Sequence, residues 1–166
     1  MHEPRRGGPY NCLMLKTLMT AAVVLAMSSL TSAQTAKGAA TKPLDKVTVF
    51  RTATCGCCGK WVDHMKAAGF DVTVHVVDSI EQAPNRSRVP ENLRSCHTGT
   101  AGPYALEGHI PADVVKDLLR KRPANVDGIA VPGMPAGSPG MESPNPEPYK
   151  IIAFDRKGAT STFAQR

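Results

Sequence analysis

The chain carries the stretch Cys55-Gly56-Cys57-Cys58-Gly59-Lys60-Trp61 between residues 47–50, which alternate apolar and polar or aromatic, and residues 61–68, which have helical spacing. The alternation predicts a strand and the later spacing predicts a helix, so three thiols stand where a strand turns into a helix. At such a junction, free backbone N–H groups and the positive end of the helix dipole favour the thiolate, which attacks disulfides and binds metals. The stretch therefore predicts a site for sulfur chemistry.

The spacing of the three cysteines points to two uses of their sulfur atoms. Cys55 and Cys58 have the C-x-x-C spacing that lets two sulfurs meet over one helix turn. Cys58 points about 100° away from Cys57 around a regular α-helix, so one metal ion is poorly placed to bind all three sulfurs. Sulfurs shared between several metal ions would relieve that geometry.

The rest of the chain supplies further elements of an α/β fold. Gly69 ends the first helix and residues 70–77 alternate as a second strand, which makes a β-α-β unit with parallel strands. The next predicted elements are a short irregular helix at 80–88 interrupted by Pro84, a turn at 91–97, and a hairpin of 98–101 and 104–107. The last are a helix at 112–120 opened by Pro111, a short strand at 127–130, and a closing hairpin of 149–154 and 159–164.

The N-terminus has the pattern of a secretory signal peptide. Basic residues precede an apolar stretch at 18–27 that is too short to span a bilayer, and small residues follow at Thr31 and Ala33. We therefore expect a signal peptide at 1–33 with Met14 as an alternative start, a flexible leader at 34–45, and one exported, soluble domain at 46–166.

Composition and charge exclude other classes of protein. The chain is 42% hydrophobic and 20% charged, which is ordinary for a globular protein. Cleavage after Ala33 removes three positive charges and one negative charge, so the formal net charge falls from +6 to +4. The remaining basic run, Arg120-Lys121-Arg122, ends a predicted helix, where cations suit the dipole. We therefore expect neither nucleic-acid binding nor a membrane-embedded mature protein.

Cleavage leaves an even number of cysteines, because Cys12 is removed and has no predicted role. An even count in an oxidising compartment permits two structural disulfides, among Cys55, Cys57, Cys58 and Cys96. Clustering argues against them, because a disulfide stabilises most when it closes a long loop, and three of these cysteines are almost adjacent. A disulfide-stapled interaction module stays open as an alternative.

Residues 131–142 are rich in proline and glycine and carry Met134 and Met141. Methionine usually fills protein cores, but a stretch of this composition has little core to fill. Because each methionine follows a glycine, we expect a loop to present both of them. The alternative is that they pack on the domain without a further role.

The predicted order β-α-β-(α)-β-β-α, with C-x-x-C at the first strand-to-helix turn, resembles the thioredoxin-like fold in its small glutaredoxin form. Here that α/β core would be extended by the Met/Pro/Gly loop and the C-terminal hairpin. In that fold the loop before the third strand faces the dithiol, so the resemblance implies that Cys96 lies across from Cys55, Cys57 and Cys58. The same loop usually carries a cis-proline, and residues 95–98 contain none. That difference argues against a conventional redox enzyme.

Four motifs occur in order: TCGCCGKW at 54–61, LRSCHT at 93–98, EGHIPAD at 107–113 and VPGMPAGSPGME at 131–142. Together they resemble the CopG-type periplasmic copper-resistance proteins, a family long known only as a bacterial domain of unknown function. The resemblance covers about residues 46–165. It implies a thioredoxin-like domain whose cysteines gather several copper ions into a thiolate-bridged cluster, in the periplasm beside other copper-handling proteins.

The donor atoms of these motifs suit copper. Soft thiolates and thioethers select Cu(I), and imidazole also tolerates Cu(II). The predicted metal ligands are Cys55, Cys57, Cys58, Cys96, Met134, Met141, His97 and His109. A turn-capping role stays open for His97, and His64 and His75 are expected on a helix surface and in a strand. Zinc is the rival metal, because four cysteines can form a closed tetrahedral site, but the adjacent pair Cys57 and Cys58 makes that site awkward.

Besides the disulfide-stapled interaction module, two functions of different classes therefore remain. The first is a periplasmic copper-binding protein that sequesters copper or converts it between Cu(I) and Cu(II), and so contributes to copper resistance. The second is a thiol–disulfide oxidoreductase in which Cys55 and Cys58 form the redox pair and Cys57 or Cys96 resolves the mixed disulfide. Only the second function assigns catalytic residues.

Overall fold

A computed structural model of the protein describes residues 45–166. The predicted signal peptide at 1–33, the alternative start at Met14, Cys12 and residues 34–44 of the predicted leader lie outside the described residues. Within the described range, no helix is long and apolar enough to cross a membrane.

Within residues 45–166, seven strands and two helices make a mixed α/β fold. The helices are α1 (Gly56–Ala67) and α2 (Ala112–Lys121). The strands are β1 (Lys46–Arg51), β2 (Asp71–Val76), β3 (His97–Ala101), β4 (Tyr104–Gly108), β5 (Gly128–Val131), β6 (Lys150–Phe154) and β7 (Thr160–Gln165). Single 3-10 turns at Ile80–Gln82, Arg86–Arg88 and Glu91–Leu93 lie between β2 and β3.

The strands form one sheet in the order β2-β1-β3-β4-β5-β6-β7. β1 and β2 are parallel, which confirms the predicted β-α-β unit, and β3 and β4 form the predicted hairpin. β6 and β7 form the predicted closing hairpin. Because β1 pairs with β3, Arg51 at the end of β1 lies opposite His97 at the start of β3. The loops that follow β1 and precede β3 therefore meet at one edge of the fold.

Helix α1 begins inside the cysteine stretch rather than after it. Cys55 is its N-cap residue, so Cys57 and Cys58 lie in its first turn. The apolar spacing does not reveal this turn because its two glycines add no side chain to the core-facing stripe. Arg51 Nη1 supports the turn by donating to the carbonyl of Cys55 at 3.1 Å. The prediction that three thiols stand at a strand-to-helix junction is confirmed.

The segment predicted as one irregular helix at 80–88 consists of two separate 3-10 turns. Pro84 separates them, because the residue before a proline is disfavoured in the helical region and Ala83 is extended at φ −68°, ψ 129°. The segment then brings Asn85 and Arg86 into the interior, where both are buried.

Both helices pack on one face of the sheet. The main apolar cluster joins Trp61 and Met65 of α1 to Leu118 of α2 and to inward-facing strand residues. A second cluster lies on the opposite face beneath the 3-10 turns and consists of Val89, Leu93, Ala105, Ala130 and Phe154. Successive strand residues alternate between the two clusters because side chains alternate across a pleated sheet. Neither apolar cluster includes a cysteine.

Candidate metal centre

Four sulfur atoms converge where β1 leads into α1 and where the chain enters β3. Cys55 Sγ lies 3.6 Å from Cys57 Sγ, and Cys58 Sγ lies 3.5 Å from Cys96 Sγ. All four Sγ atoms lie within 4.8 Å of one another. The prediction that Cys96 lies across from the three clustered cysteines is therefore confirmed.

The four cysteines are not equivalent in their oxidation state. Cys55 and Cys58 form a disulfide, whereas Cys57 and Cys96 are free thiols. The C-x-x-C pair meets as its spacing predicts. The described part of the chain therefore has one disulfide among these four residues and not two. The site holds one reducible pair beside two further thiols, so reduction would provide four sulfur ligands within one small volume.

Two histidines extend the sulfur group on the side of Cys96. Cys96 Sγ lies 3.1 Å from His109 Nε2 and 3.5 Å from His97 Nδ1. His109 Nδ1 lies 2.7 Å from the carbonyl oxygen of Pro139. Because a carbonyl only accepts hydrogen bonds, Nδ1 carries the proton and the Nε2 lone pair faces Cys96. Cys96 thus belongs to two donor groups, one of four sulfurs and one of a sulfur and two imidazoles.

Burial sets the protonation states of these donors. It lowers the pKa of His97 to about 3 and also lowers the pKa of His109, so both imidazoles are neutral near pH 7 and can offer a lone pair. His97 Nε2 is buried and has no hydrogen-bond partner among the described residues. Burial, followed by the charge of Cys57, raises the pKa of the Cys96 thiol to about 12. Cys96 therefore keeps its proton at neutral pH unless a metal displaces it.

A proline- and glycine-rich loop between β5 and β6 packs against the first turn of α1. Gly140 has φ +88°, and a Cβ on it would lie 2.6 Å from the carbonyl oxygen of Cys57 and 3.0 Å from Trp61 N. Glycine is therefore needed at this position, both for the backbone conformation and for the close approach. The contact between Pro139 and His109 holds the same loop against the site.

The two methionines of the predicted loop lie at a surface groove beside Cys57. Met134 and Met141 line this groove together with Lys60 and Glu142. Met134 is 39% exposed and has a positive φ of 49°, an uncommon conformation for a residue with a side chain. Presentation of both methionines from a loop is confirmed, and their role as metal ligands stays a prediction.

The histidines that were expected to lie apart from the centre do so. His64 Nε2 accepts a hydrogen bond from the backbone N–H of Ala112 at 3.0 Å, at the start of α2. His75 stacks on Phe50 with ring centroids 4.8 Å apart, on the outer strand β2. His97, in contrast, is buried, and its ring packs at a tilt of 42° against Trp61 with the centroids 4.5 Å apart, so it lies inside the centre rather than capping a turn.

Sequence reasoning missed two charged residues beneath the centre. Arg86 and Glu107 are buried and form an ion pair under the loop that carries Cys96. Charged residues are almost always exposed unless paired, so single residues in a sequence give no signal of such a pair. Glu107 lies in one of the four motifs, but its residue type alone did not distinguish it from a surface carboxylate.

Comparisons with known proteins agree with this geometry. A family model described as a protein of unknown function, DUF411, matches residues 93–141, which include Cys96, both histidines and both methionines. The chain is similar to a solved structure of copper resistance protein CopG, form 2, at 40% identity and a TM-score of 0.69, covering 74% of this chain and 98% of that one. Form 1 of CopG matches at 40% identity and a TM-score of 0.68, covering 75% and 98%. No curated protein sequence matches this chain significantly.

Proposed function

The chain belongs to the family of the copper resistance protein CopG, and from that premise we propose that it binds copper at the convergent cysteines and contributes to copper resistance. The observation that carries the proposal is the set of four Sγ atoms within 4.8 Å of one another. Thiolate sulfur selects Cu(I) over the hard cations. In the reduced protein, all four cysteines would act as ligands.

The two donor groups support a site for several copper ions. Cys96 belongs to both the all-sulfur group and the group with His97 and His109. A thiolate in that position would bridge ions held by the two groups. Sulfur favours Cu(I) and imidazole also suits Cu(II), so a mixed donor set would let copper change oxidation state while it stays bound. Met134 and Met141 would complete the site from the groove. Zinc fits less well, because one tetrahedral zinc ion uses four ligands, whereas the two groups that share Cys96 offer six.

We further propose that the core is thioredoxin-like. The order β2-β1-β3-β4, with β1 and β2 parallel and joined through α1, supports this proposal. The cysteine pair at the start of α1 also has the position expected for that fold. The loop from β5 to β6 and the β6–β7 hairpin would then be additions to that core, and the loop would build one wall of the metal site.

We also propose a periplasmic location and exchange of copper with other copper-handling proteins there. The signal-like pattern at 1–33 and the family of copper resistance proteins support the location. Exchange would use the groove beside Cys57, because Met134 is exposed there.

Metal analysis of the protein tests the copper proposal. The protein is purified without oxygen from cells grown with added copper, and bound metals are measured by elemental analysis. We expect more than about one copper per chain and less zinc than copper, because a given nitrogen- and sulfur-donor site binds copper more tightly than zinc and the cells are supplied with copper. Less than one copper per chain would count against the proposal, and one tightly bound zinc would favour the rival metal.

A second candidate function is thiol–disulfide exchange, which the disulfide between Cys55 and Cys58 favours. In this function Cys57 or Cys96 would resolve mixed disulfides. It predicts turnover of a mixed-disulfide substrate by metal-free protein. If Cys57→Ala and the two methionine substitutions left that turnover intact, redox exchange would replace copper binding as the preferred function.

Copper uptake should weaken as the pH falls. Copper must displace a proton from each neutral thiol, and Cys96, with its pKa raised to about 12, keeps its proton throughout the acidic range. Each proton displaced lowers the apparent affinity about tenfold per unit of pH. Competition with a Cu(I) chelator calibrated at about pH 7, 6 and 5 measures this slope. An affinity that stays flat over this range would show that the thiols are already ionised or are not ligands.

A further inference from the structure

Two buried charges lie beneath the loop that carries Cys96. Arg86, in the second 3-10 turn, is 6% exposed, and Glu107, in β4, is fully buried. They form an ion pair. Burying two charges is costly even when they are paired, and an apolar pair of similar size is often as stable. A contribution to stability is therefore a weak explanation for this pair.

Both partners bind the backbone of the same residue, Ser95. The N–H of Ser95 donates to Glu107 Oε1 at 2.5 Å, and Arg86 Nη1 donates to the carbonyl oxygen of Ser95 at 3.3 Å. Residues 94–96 belong neither to a 3-10 turn nor to β3, so regular main-chain pairing does not shape them. The ion pair provides side-chain hydrogen-bond partners for the backbone of Ser95 instead. Ser95 directly precedes Cys96.

Further hydrogen bonds hold this pair and the strand beyond it. Glu81 Oε1 accepts from Arg86 Nε at 3.0 Å, which orients the guanidinium from its other side. Asn85 Nδ2 donates to Thr98 Oγ1 and to the carbonyl oxygen of Gly99, at 2.8 Å each. Arg86 therefore holds the chain just before Cys96, and Asn85 holds it just after. The position of the Cys96 sulfur depends on both contacts.

We propose that Arg86 and Glu107 are positioning residues that hold Cys96 in the metal centre. Cys96 Sγ lies 3.5 Å from Cys58 Sγ and 3.1 Å from His109 Nε2, and a rotation of the preceding peptide would change both distances. The purpose of this placement rests on the proposed copper function. The placement itself can be measured without metal.

The first test measures how well Cys58 and Cys96 are held together. In a variant with Cys12, Cys55 and Cys57 replaced by Ser, Cys58 and Cys96 are the two cysteines that remain. The equilibrium between their thiols and their disulfide in glutathione buffers gives the effective concentration of one thiol at the other. We expect R86M/E107L, which replaces both charges with apolar side chains, to lower this effective concentration about tenfold or more. An unchanged value in folded protein would overturn the proposal.

A neighbouring ion pair provides a matched control. Arg88 lies in the same 3-10 turn as Arg86, and its Nη2 lies 2.9 Å from Asp127 Oδ1 and 2.8 Å from the carbonyl oxygen of Pro103. R88M/D127N therefore removes another ion pair, less buried than Arg86 and Glu107, that holds a different part of the chain. We expect it to affect unfolding by urea but to leave the Cys58–Cys96 effective concentration unchanged. A decrease equal to that of R86M/E107L would assign both pairs a general structural role and overturn the proposal.

The second test measures copper. Competition with a Cu(I) chelator should show that R86M/E107L lowers affinity about ten- to a hundredfold, the usual effect of removing a residue that orients a metal ligand. If wild-type protein binds no copper, the proposed function fails, and the disulfide measurement still decides whether the pair positions Cys96.

A conservative variant covers the case in which R86M/E107L does not fold. Arg86→Lys keeps the charge beside Glu107 but loses the planar fork that also reaches the Ser95 carbonyl. We expect a lower Cys58–Cys96 effective concentration in this variant. A wild-type value in folded Arg86→Lys protein would contradict the proposal.

Discussion

Cys96→Ser should remove most of the bound copper, whereas Cys12→Ser should leave copper loading unchanged. Cys96 is the residue shared by the all-sulfur group and the group with His97 and His109, so its loss breaks both. A serine hydroxyl is a hard, neutral donor that Cu(I) does not favour. The loss of affinity should exceed the roughly ten- to hundredfold effect of changing a residue outside the ligand set.

Elemental analysis and chelator competition on protein prepared without oxygen measure this effect. Urea unfolding of the metal-free variants serves as the control for folding. Because Cys96 is partly exposed, its substitution by serine should change the free energy of unfolding by no more than about 1 kcal/mol. Wild-type copper content in Cys96→Ser protein would remove the basis of the shared site.

The second large effect concerns the oxidation state of the cysteine pair. Protein in which Cys55 and Cys58 are joined, as in the structure, should bind much less Cu(I) than the same protein after reduction. The disulfide takes away two of the four thiolates, and the thiolate is the form that binds metal. We expect affinity to differ by more than about tenfold between the two forms.

This effect is measured by titrating Cu(I) into oxidised protein and into reduced protein from which the reductant has been removed, with free thiols counted in each sample. The double variant C55S/C58S is the matched control, because it cannot form the disulfide. It should bind copper weakly before and after treatment with reductant. Equal copper binding by the oxidised and reduced wild-type forms would show that Cys55 and Cys58 are not ligands.

Most elements of the fold were predictable from local patterns. The alternation in β1 and β2 and the helical spacing in α2 indicate which side of each element faces the core. These patterns are local, so they predict the element without knowledge of the elements that pack against it. The predictions failed where that signal is absent. The first turn of α1 contributes little to the core stripe, and Pro84 divides a segment in which helical and extended residues alternate.

The site was predictable in part. Residue type and spacing identified the cysteine stretch, and resemblance to a family added Cys96 and the two histidines. Arg86 and Glu107 were not found, because their burial depends on a partner that lies 21 residues away in the chain. The packing of the β5–β6 loop against Cys57 was not predicted either, because the close approach of Gly140 depends on where α1 lies in the fold.

The order of residues alone identifies the soft donor atoms of the chain and shows that three of them stand within one turn at a strand-to-helix junction. That much is local, because the spacing of neighbouring residues is set by covalent geometry and helix periodicity. Folding of the whole domain is what brings Cys96, which lies 38 residues from Cys58, to within 3.5 Å of it, and what turns His109 Nε2 toward the same sulfur. These distances depend on the pairing of β1 with β3 and on buried contacts to the loops, and such contacts exist only once the whole domain has packed.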